Sequence, residues 1–161
     1  MHYSVRAWVR MTVEAYNLGG LPTIEIGSYD VNGGVRDLFC GRYWGLDARP
    51  GPGVDVVWDI ECGPHTLLPP VDVVVSTEAL EHTPHPWRAV ENMGACLRPG
   101  GHLLLTARAP GFPIHEHPGD FWRMTPAAME IVVTDAGLTI VELKDDPQPS
   151  TPGVFCHAVR P

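Results

Sequence analysis

Lysine is nearly absent from this chain. Lys144 is the single lysine among 11 basic residues, set against 19 acidic ones. A formal charge of -8 leaves no excess of cations for a phosphate backbone. A nucleic-acid partner is therefore disfavoured, although a local basic groove would remain compatible with that charge. Cysteine is sparse as well. Cys40, Cys62, Cys96 and Cys156 form no CxxC pair, which argues against a zinc ribbon or a disulfide framework and for reduced thiols in a cytoplasm. No apolar run approaches the roughly 18 residues of a membrane helix. The first ten residues mix Trp, Val and Arg and do not read as a secretion signal. The expectation is a cytoplasmic chain with no membrane partner.

What is present is alternation. A length of 161 residues with 44% hydrophobic content fits one domain with one sizeable core. Ser4 is placed to cap a helix with Val5, Trp8, Val9, Thr12, Val13 and Tyr16 on one stripe. Strands are expected at residues 23–26, 43–47, 54–58 and 71–75, with a short helix at 32–39. Pro86 opens a helix with Trp87, Val90, Met93 and Leu97 on one side, and a strand follows at 101–107. Thr125 caps a last helix with Pro126 at its first position, Met124 and Met129 placed as a hydrophobic staple, and Gly137 at its exit. Two further strands, 138–143 and 154–159, close the chain. Strand and helix in alternation, followed by two consecutive strands, imply a doubly wound, mostly parallel sheet with an antiparallel hairpin at one edge.

In such sheets ligands sit outside the carboxyl ends of the strands. The first end reads Glu25-Ile26-Gly27-Ser28, with Gly33 and Gly34 close behind. Glycines there admit a tight turn and a close ligand approach, and a following helix would offer unpaired N–H groups. An ordinary strand-to-helix turn has the same composition. Asp47 follows Gly27 by 20 residues, a spacing at which a carboxylate can accept from two ribose hydroxyls. A dinucleotide site has the same arrangement, and a turn-forming Asp is the structural alternative. Asp59 ends the third strand.

The segment Val71 to Ala107 removes that ambiguity by resemblance. It contains Glu78-Ala79-Leu80-Glu81-His82 and Leu97-Arg98-Pro99-Gly100-Gly101, and it is similar to the fourth-to-fifth-strand region of type 11 class I S-adenosylmethionine-dependent methyltransferases. Glu25-x-Gly27 resembles their first motif. The resemblance implies a Rossmann-like seven-stranded sheet of order 3-2-1-4-5-7-6. It also implies a single methyltransferase domain over 1–161: an N-terminal helix to 20, a cofactor half at 21–107, and a substrate-side loop, last helix and hairpin at 108–161. S-adenosyl-L-methionine is the implied cofactor. Glu25, Gly27 and Ser28 would face its methionine part, Asp47 its ribose, Asp59 with Ile60 its adenine, and Thr77 with Glu78 its sulfonium.

The acceptor side is less defined. His82 stands just past the fourth strand and is the candidate for removing a proton from the acceptor; a turn-stabilising histidine is the alternative. The loop carrying His115, His117, Asp120, Trp122 and Arg123 resembles a segment of type 11-like enzymes, some associated with glycan assembly. It would border a small-molecule or sugar acceptor methylated on O or N. An Asp120–Arg123 pair with Trp122 packed on the core is the structural reading of the same residues. Glu78, Glu81 and His82 recur at i, i+3 and i+4, and with His115 or His117 they make four oxygen and nitrogen ligands. That pattern resembles the metal site of RNA 3′-end 2′-O-methyltransferases and of some quinone-pathway O-methyltransferases, which keeps a metal-assisted RNA enzyme as an alternative. A non-catalytic cofactor-binding module is a third, since fold does not fix function.

Overall fold

The computed structural model describes residues 2–115 and 119–161. Seven strands form one sheet: β1 (Thr23–Ile26), β2 (Tyr43–Asp47), β3 (Val56–Val57), β4 (Val71–Thr77), β5 (Leu97–Arg108), β6 (Thr139–Asp145) and β7 (Gly153–Val159). Their order is β3-β2-β1-β4-β5-β7-β6. β3 to β5 pair in parallel, and β7 runs antiparallel to both β5 and β6. The doubly wound sheet with a C-terminal hairpin is therefore borne out.

Alternation along the central strands divides the core in two, because successive side chains in a strand point to opposite faces. Val73 and Val75 of β4, Leu104 of β5 and Phe155 of β7 pack with Val5, Trp8, Val9 and Val13 of helix α1 (Tyr3–Ala15). Val74, Leu103, Leu105 and Cys156 belong to the opposite cluster, with α2 (Pro86–Cys96) and α3 (Pro126–Asp135). β4 is buried along Val71–Ser76, as a strand covered on both faces must be. α3 starts as expected: Thr125 Oγ1 accepts from Ala128 N at 3.1 Å, with Pro126 at the first position.

Four local expectations are corrected. Residues 32–39 contain only a 3-10 turn at Arg36–Leu38; glycines at 33 and 34 and a loop held by Asp30 Oδ1 accepting from Gly33 N leave too few helix formers for a longer element. β3 is two residues rather than five. Ser4 lies inside α1, not at its cap, and its hydroxyl donates to Asp146 at 2.7 Å. Trp87 is exposed, while Ala89, Val90 and Met93 form the buried face of α2; at the first turn of a helix the indole is free to turn outward.

Candidate active site

An open cleft of about 830 Å³ lies at the carboxyl ends of β1, β2, β4 and β5. Its floor is set by Gly27, whose φ of +79° suits glycine and whose added Cβ would fall 2.7 Å from the Ala79 Cβ. The turn after β1 thus touches the turn after β4, and a side chain would drive the two apart. Gly27 N and Ser28 N both donate to Leu46 O, at 2.9 and 3.1 Å, which fastens this turn to β2.

The cleft wall includes Glu25, Gly27, Ser28, Asp47, Asp59, Ile60, Thr77 and Glu78. Asp47 accepts from Tyr29 N at 3.3 Å and Arg49 N at 3.0 Å. A carboxylate has about four acceptor positions, so these two bonds hold it at the lip and leave capacity for a ligand. Asp59 is exposed and caps the 3-10 turn Ile60–Cys62 through Glu61 N at 2.9 Å. Ile60 is buried. Glu25 is buried and takes a 2.8 Å bond from the Tyr43 hydroxyl. Burial pushes its carboxyl up to about 7, and the Tyr43 bond opposes the shift. Ser28 Oγ is buried with no partner among the described residues.

Glu78 sits at φ +54°, a conformation most side chains avoid. Its carboxylate meets the Arg108 guanidinium and His2 Nδ1, the latter at 2.7 Å. Arg108 is 1% exposed, donates to Thr151 O at 2.9 Å and lies over the Phe112 ring. Burial lowers its pKa to about 10, which keeps it charged at neutral pH. His2 and Arg108 both line the cleft, and sequence reasoning missed both. A charged residue ending an apolar strand at the ligand edge of the sheet was a signal for Arg108. Nothing in the sequence marks His2, which arrives only because α1 docks where it does.

Opposite the Gly27 turn lie His82 and His115, with ring centroids 4.8 Å apart. His82 Nδ1 is 2.5 Å from Gly119 O. Burial, then the neighbouring His82, lowers the pKa of His115, while Asp120 opposes. Asp120, Trp122 and Arg123 are not in the cleft wall. Asp120 pairs with Arg123, which also donates to Phe112 O and Pro113 O at 3.1 and 2.9 Å. This clamp shapes the loop, and the guanidinium holds the Asp120 carboxyl well below the usual range. Trp122 packs edge-on against Trp87 and donates to Pro84 O at 3.2 Å. Phe121, which the sequence did not single out, is 55% exposed and does line the cleft. His117 lies outside the described residues.

Glu81 is fully buried beside this pair, and neither carboxylate oxygen has a hydrogen-bond partner among the described residues. Burial pushes its carboxyl up to about 7; the nearby backbone N–H groups of Glu81 and Arg108 oppose the shift without the geometry of a hydrogen bond. The expected shared face of Glu78, Glu81 and His82 does not form. The left-handed residue turns Glu78 toward Arg108, and the 3-10 turn Leu80–His82 takes Glu81 the other way, so that Glu81, His82 and His115 gather instead.

The model of the "Methyltransferase domain" family matches residues 31–143. The chain belongs to that family. Solved structures share the architecture of this methyltransferase domain. 1,6-Didemethyltoxoflavin-N1-methyltransferase from Burkholderia thailandensis, crystallised with bound 1,6-didemethyltoxoflavin and S-adenosylhomocysteine, superposes with a TM-score of 0.78 at 13% identity, covering 97% of this chain and 78% of that one. Magnesium protoporphyrin IX methyltransferase from Synechocystis PCC 6803, with bound S-adenosylmethionine, gives 0.72 at 18% identity, covering 98% and 78%. N-methyltransferase NodS from Bradyrhizobium japonicum WM9 gives 0.70 at 17% identity, covering 99% and 98%. At such identities the likeness establishes the fold. No curated protein matches the sequence significantly.

Proposed function

We propose that this methyltransferase domain transfers a methyl group from S-adenosylmethionine to an oxygen or nitrogen of a small molecule, with a sugar among the candidate acceptors. The observation that carries the reading is the pairing of the Gly27 turn with the half-committed Asp47 carboxylate in one cleft. The donor set fits the cofactor. Asp47 has acceptor capacity left for a ribose diol, Ile60 offers an apolar wall for adenine, and Ser28 holds a hydroxyl near the methionine end that has no partner among the described residues. Bound there, the sulfonium supplies the methyl group and its own leaving group.

The chain has little covalent work to do. It must hold the acceptor in line at roughly 3–3.5 Å from the methyl carbon and keep water away. His82, Phe121 and His115 stand on the acceptor side. In the absence of any other occupant, the His82 Nε2 lone pair is the base for a hydroxyl proton. The acidic balance, -8 overall, favours a small acceptor over RNA. Four free cysteines fit a reducing cytoplasm, and no helix among the described residues is long and apolar enough to cross a membrane.

Isothermal titration tests the cofactor reading. S-adenosylhomocysteine is expected to bind one per chain, and NAD is expected not to compete. Binding of NAD with no response to S-adenosylhomocysteine would overturn it.

A further inference from the structure

A buried ionised carboxylate is stable in a protein interior only when paired or when it coordinates a cation. Glu81 is 0% exposed with both oxygens unpartnered among the described residues. What surrounds it is nitrogen. One ligand atom each from Glu81, His82 and His115 lie within 4.8 Å of one another. The His82 ring is already oriented from behind, and the His115 ring has a carboxylate close by. His82 donates Nδ1–H to Gly119 O, which leaves Nε2 as the lone pair. His115 is anchored through its backbone N–H to Asp120 Oδ2 at 2.7 Å, and its Nδ1 lies 3.2 Å from the same oxygen, short of hydrogen-bond alignment. A carbonyl or carboxylate behind an imidazole is the usual outer support of a ligating histidine.

We propose that Glu81, His82 and His115 form a binding site for a divalent transition-metal ion. Two imidazoles and one carboxylate suit zinc or ferrous iron and suit magnesium poorly, since magnesium prefers an all-oxygen shell. Metal–ligand distances of about 2.0–2.2 Å place tetrahedral ligands roughly 3.4 Å apart. The three groups must therefore close by at most about 1.4 Å, which side-chain rotation supplies on a fixed backbone. Glu78 takes no part, because its carboxylate is committed to His2 and Arg108.

His82 and His115 line the cleft, so an ion held here keeps an open position toward it. An oxygen of the acceptor is the ligand that position would take. That last step rests on the methyl-transfer reading; the metal site itself does not. The ion and the proton compete for the His82 lone pair, so the metal replaces the base wherever it is bound.

The test is titration of Zn²⁺, Co²⁺ and Mg²⁺ into the metal-stripped, untagged full chain, with S-adenosylhomocysteine affinity measured on the same preparations. Zn²⁺ is expected to bind saturably at one per chain and more tightly than Mg²⁺, and Co²⁺ to give visible d–d absorption. Glu81→Gln and His115→Ala should each weaken Zn²⁺ by roughly 10–100-fold or more. His85→Ala, which removes a surface histidine paired with Glu61, should leave it unchanged. His115 is half-buried, so its variant keeps the test decisive if the buried Glu81 variant fails to fold. Absence of saturable Zn²⁺ binding, or wild-type affinity in His115→Ala, overturns the site. Intact Zn²⁺ binding without S-adenosylhomocysteine binding supports the site and counts against the methyl-donor reading alone.

Discussion

His82 Nδ1 lies 2.5 Å from the carbonyl oxygen of Gly119. A carbonyl only accepts, so the proton sits on Nδ1 and the neutral ring carries its lone pair on Nε2. The contact joins the turn after β4 to the loop after β5. A backbone bond does the same: Phe121 N donates to Glu81 O at 2.7 Å. The His82 wall of the cleft is thus held by the loops after two neighbouring parallel strands, which bond to each other.

From this follows the expected behaviour of His82→Ala. Turnover with any acceptor that supports it should fall by roughly 10²–10⁴-fold. S-adenosylhomocysteine affinity should stay close to wild type, since Asp47 and the Gly27 turn are untouched. Rate and affinity measured on one preparation separate the effects. Wild-type turnover per folded molecule would remove His82 from the chemistry.

Gly27→Ala should be far more damaging than Gly33→Ala, though both positions have positive φ, +79° and +88°. Each change carries a left-handed backbone cost of roughly 1–2 kcal/mol. At Gly33 a Cβ meets nothing within 4 Å, whereas at Gly27 it meets Ala79 Cβ at 2.7 Å. Gly27→Ala is expected to lower the melting temperature further and to abolish S-adenosylhomocysteine binding. Equal melting temperatures for the two variants would show that the contact with Ala79 is absorbed without cost.

Hydrophobic patterning made most of this fold legible. The apolar run at 71–75 announced β4, and the Thr125-Pro126 start announced α3, because those signals are local. The helix expected at 32–39 is only a 3-10 turn because Gly33 and Gly34 leave too few helix formers in so short a stretch. Strand ends located Asp47 and Gly27, since sheet topology alone sends ligands there. The Glu81–His82–His115 grouping was only half legible. Sequence spacing paired Glu78 with Glu81, and the positive φ of Glu78 together with the 3-10 turn Leu80–His82 separates them. His2 depends on how a helix docks, which no spacing records.

Stability at acid pH is expected to depend on His157. This residue is fully buried, with Nε2 2.9 Å from His102 Nδ1 and its ring edge-on to Tyr16. Burial, then His102, lowers its pKa from 6.5 to about 4, while Glu142 opposes. Between those values the unfolded chain binds a proton that the folded chain refuses. The stability term is therefore fully present above about 6.5 and is lost as pH falls toward 4. His157→Gln keeps a partner for His102 but does not titrate. The difference in melting temperature between wild type and variant should change across this window and stay constant above it. A constant difference at every pH would sink the idea.

Asp47 has two jobs to separate. Its carboxylate accepts from Tyr29 N and Arg49 N, so it organises the turn after β2 whether or not a ligand is present. In the proposed site it also accepts from both ribose hydroxyls, and charged hydrogen bonds of that kind contribute about 1.5–3 kcal/mol. Asp47→Ala should therefore weaken S-adenosylhomocysteine by about 10- to 100-fold and also lower the melting temperature. Asp47→Asn is the sharper variant. The two backbone N–H groups meet different carboxylate oxygens, so its single amide oxygen keeps one turn bond, and the melting temperature should fall less than in the Ala variant. Its lost charge and its amide nitrogen, a donor where an acceptor is needed, should still weaken the ligand. Titration and thermal melts on the Asn variant therefore decide the matter. Wild-type affinity there, with only the Ala variant impaired, would make Asp47 a turn residue and move ribose recognition elsewhere in the cleft.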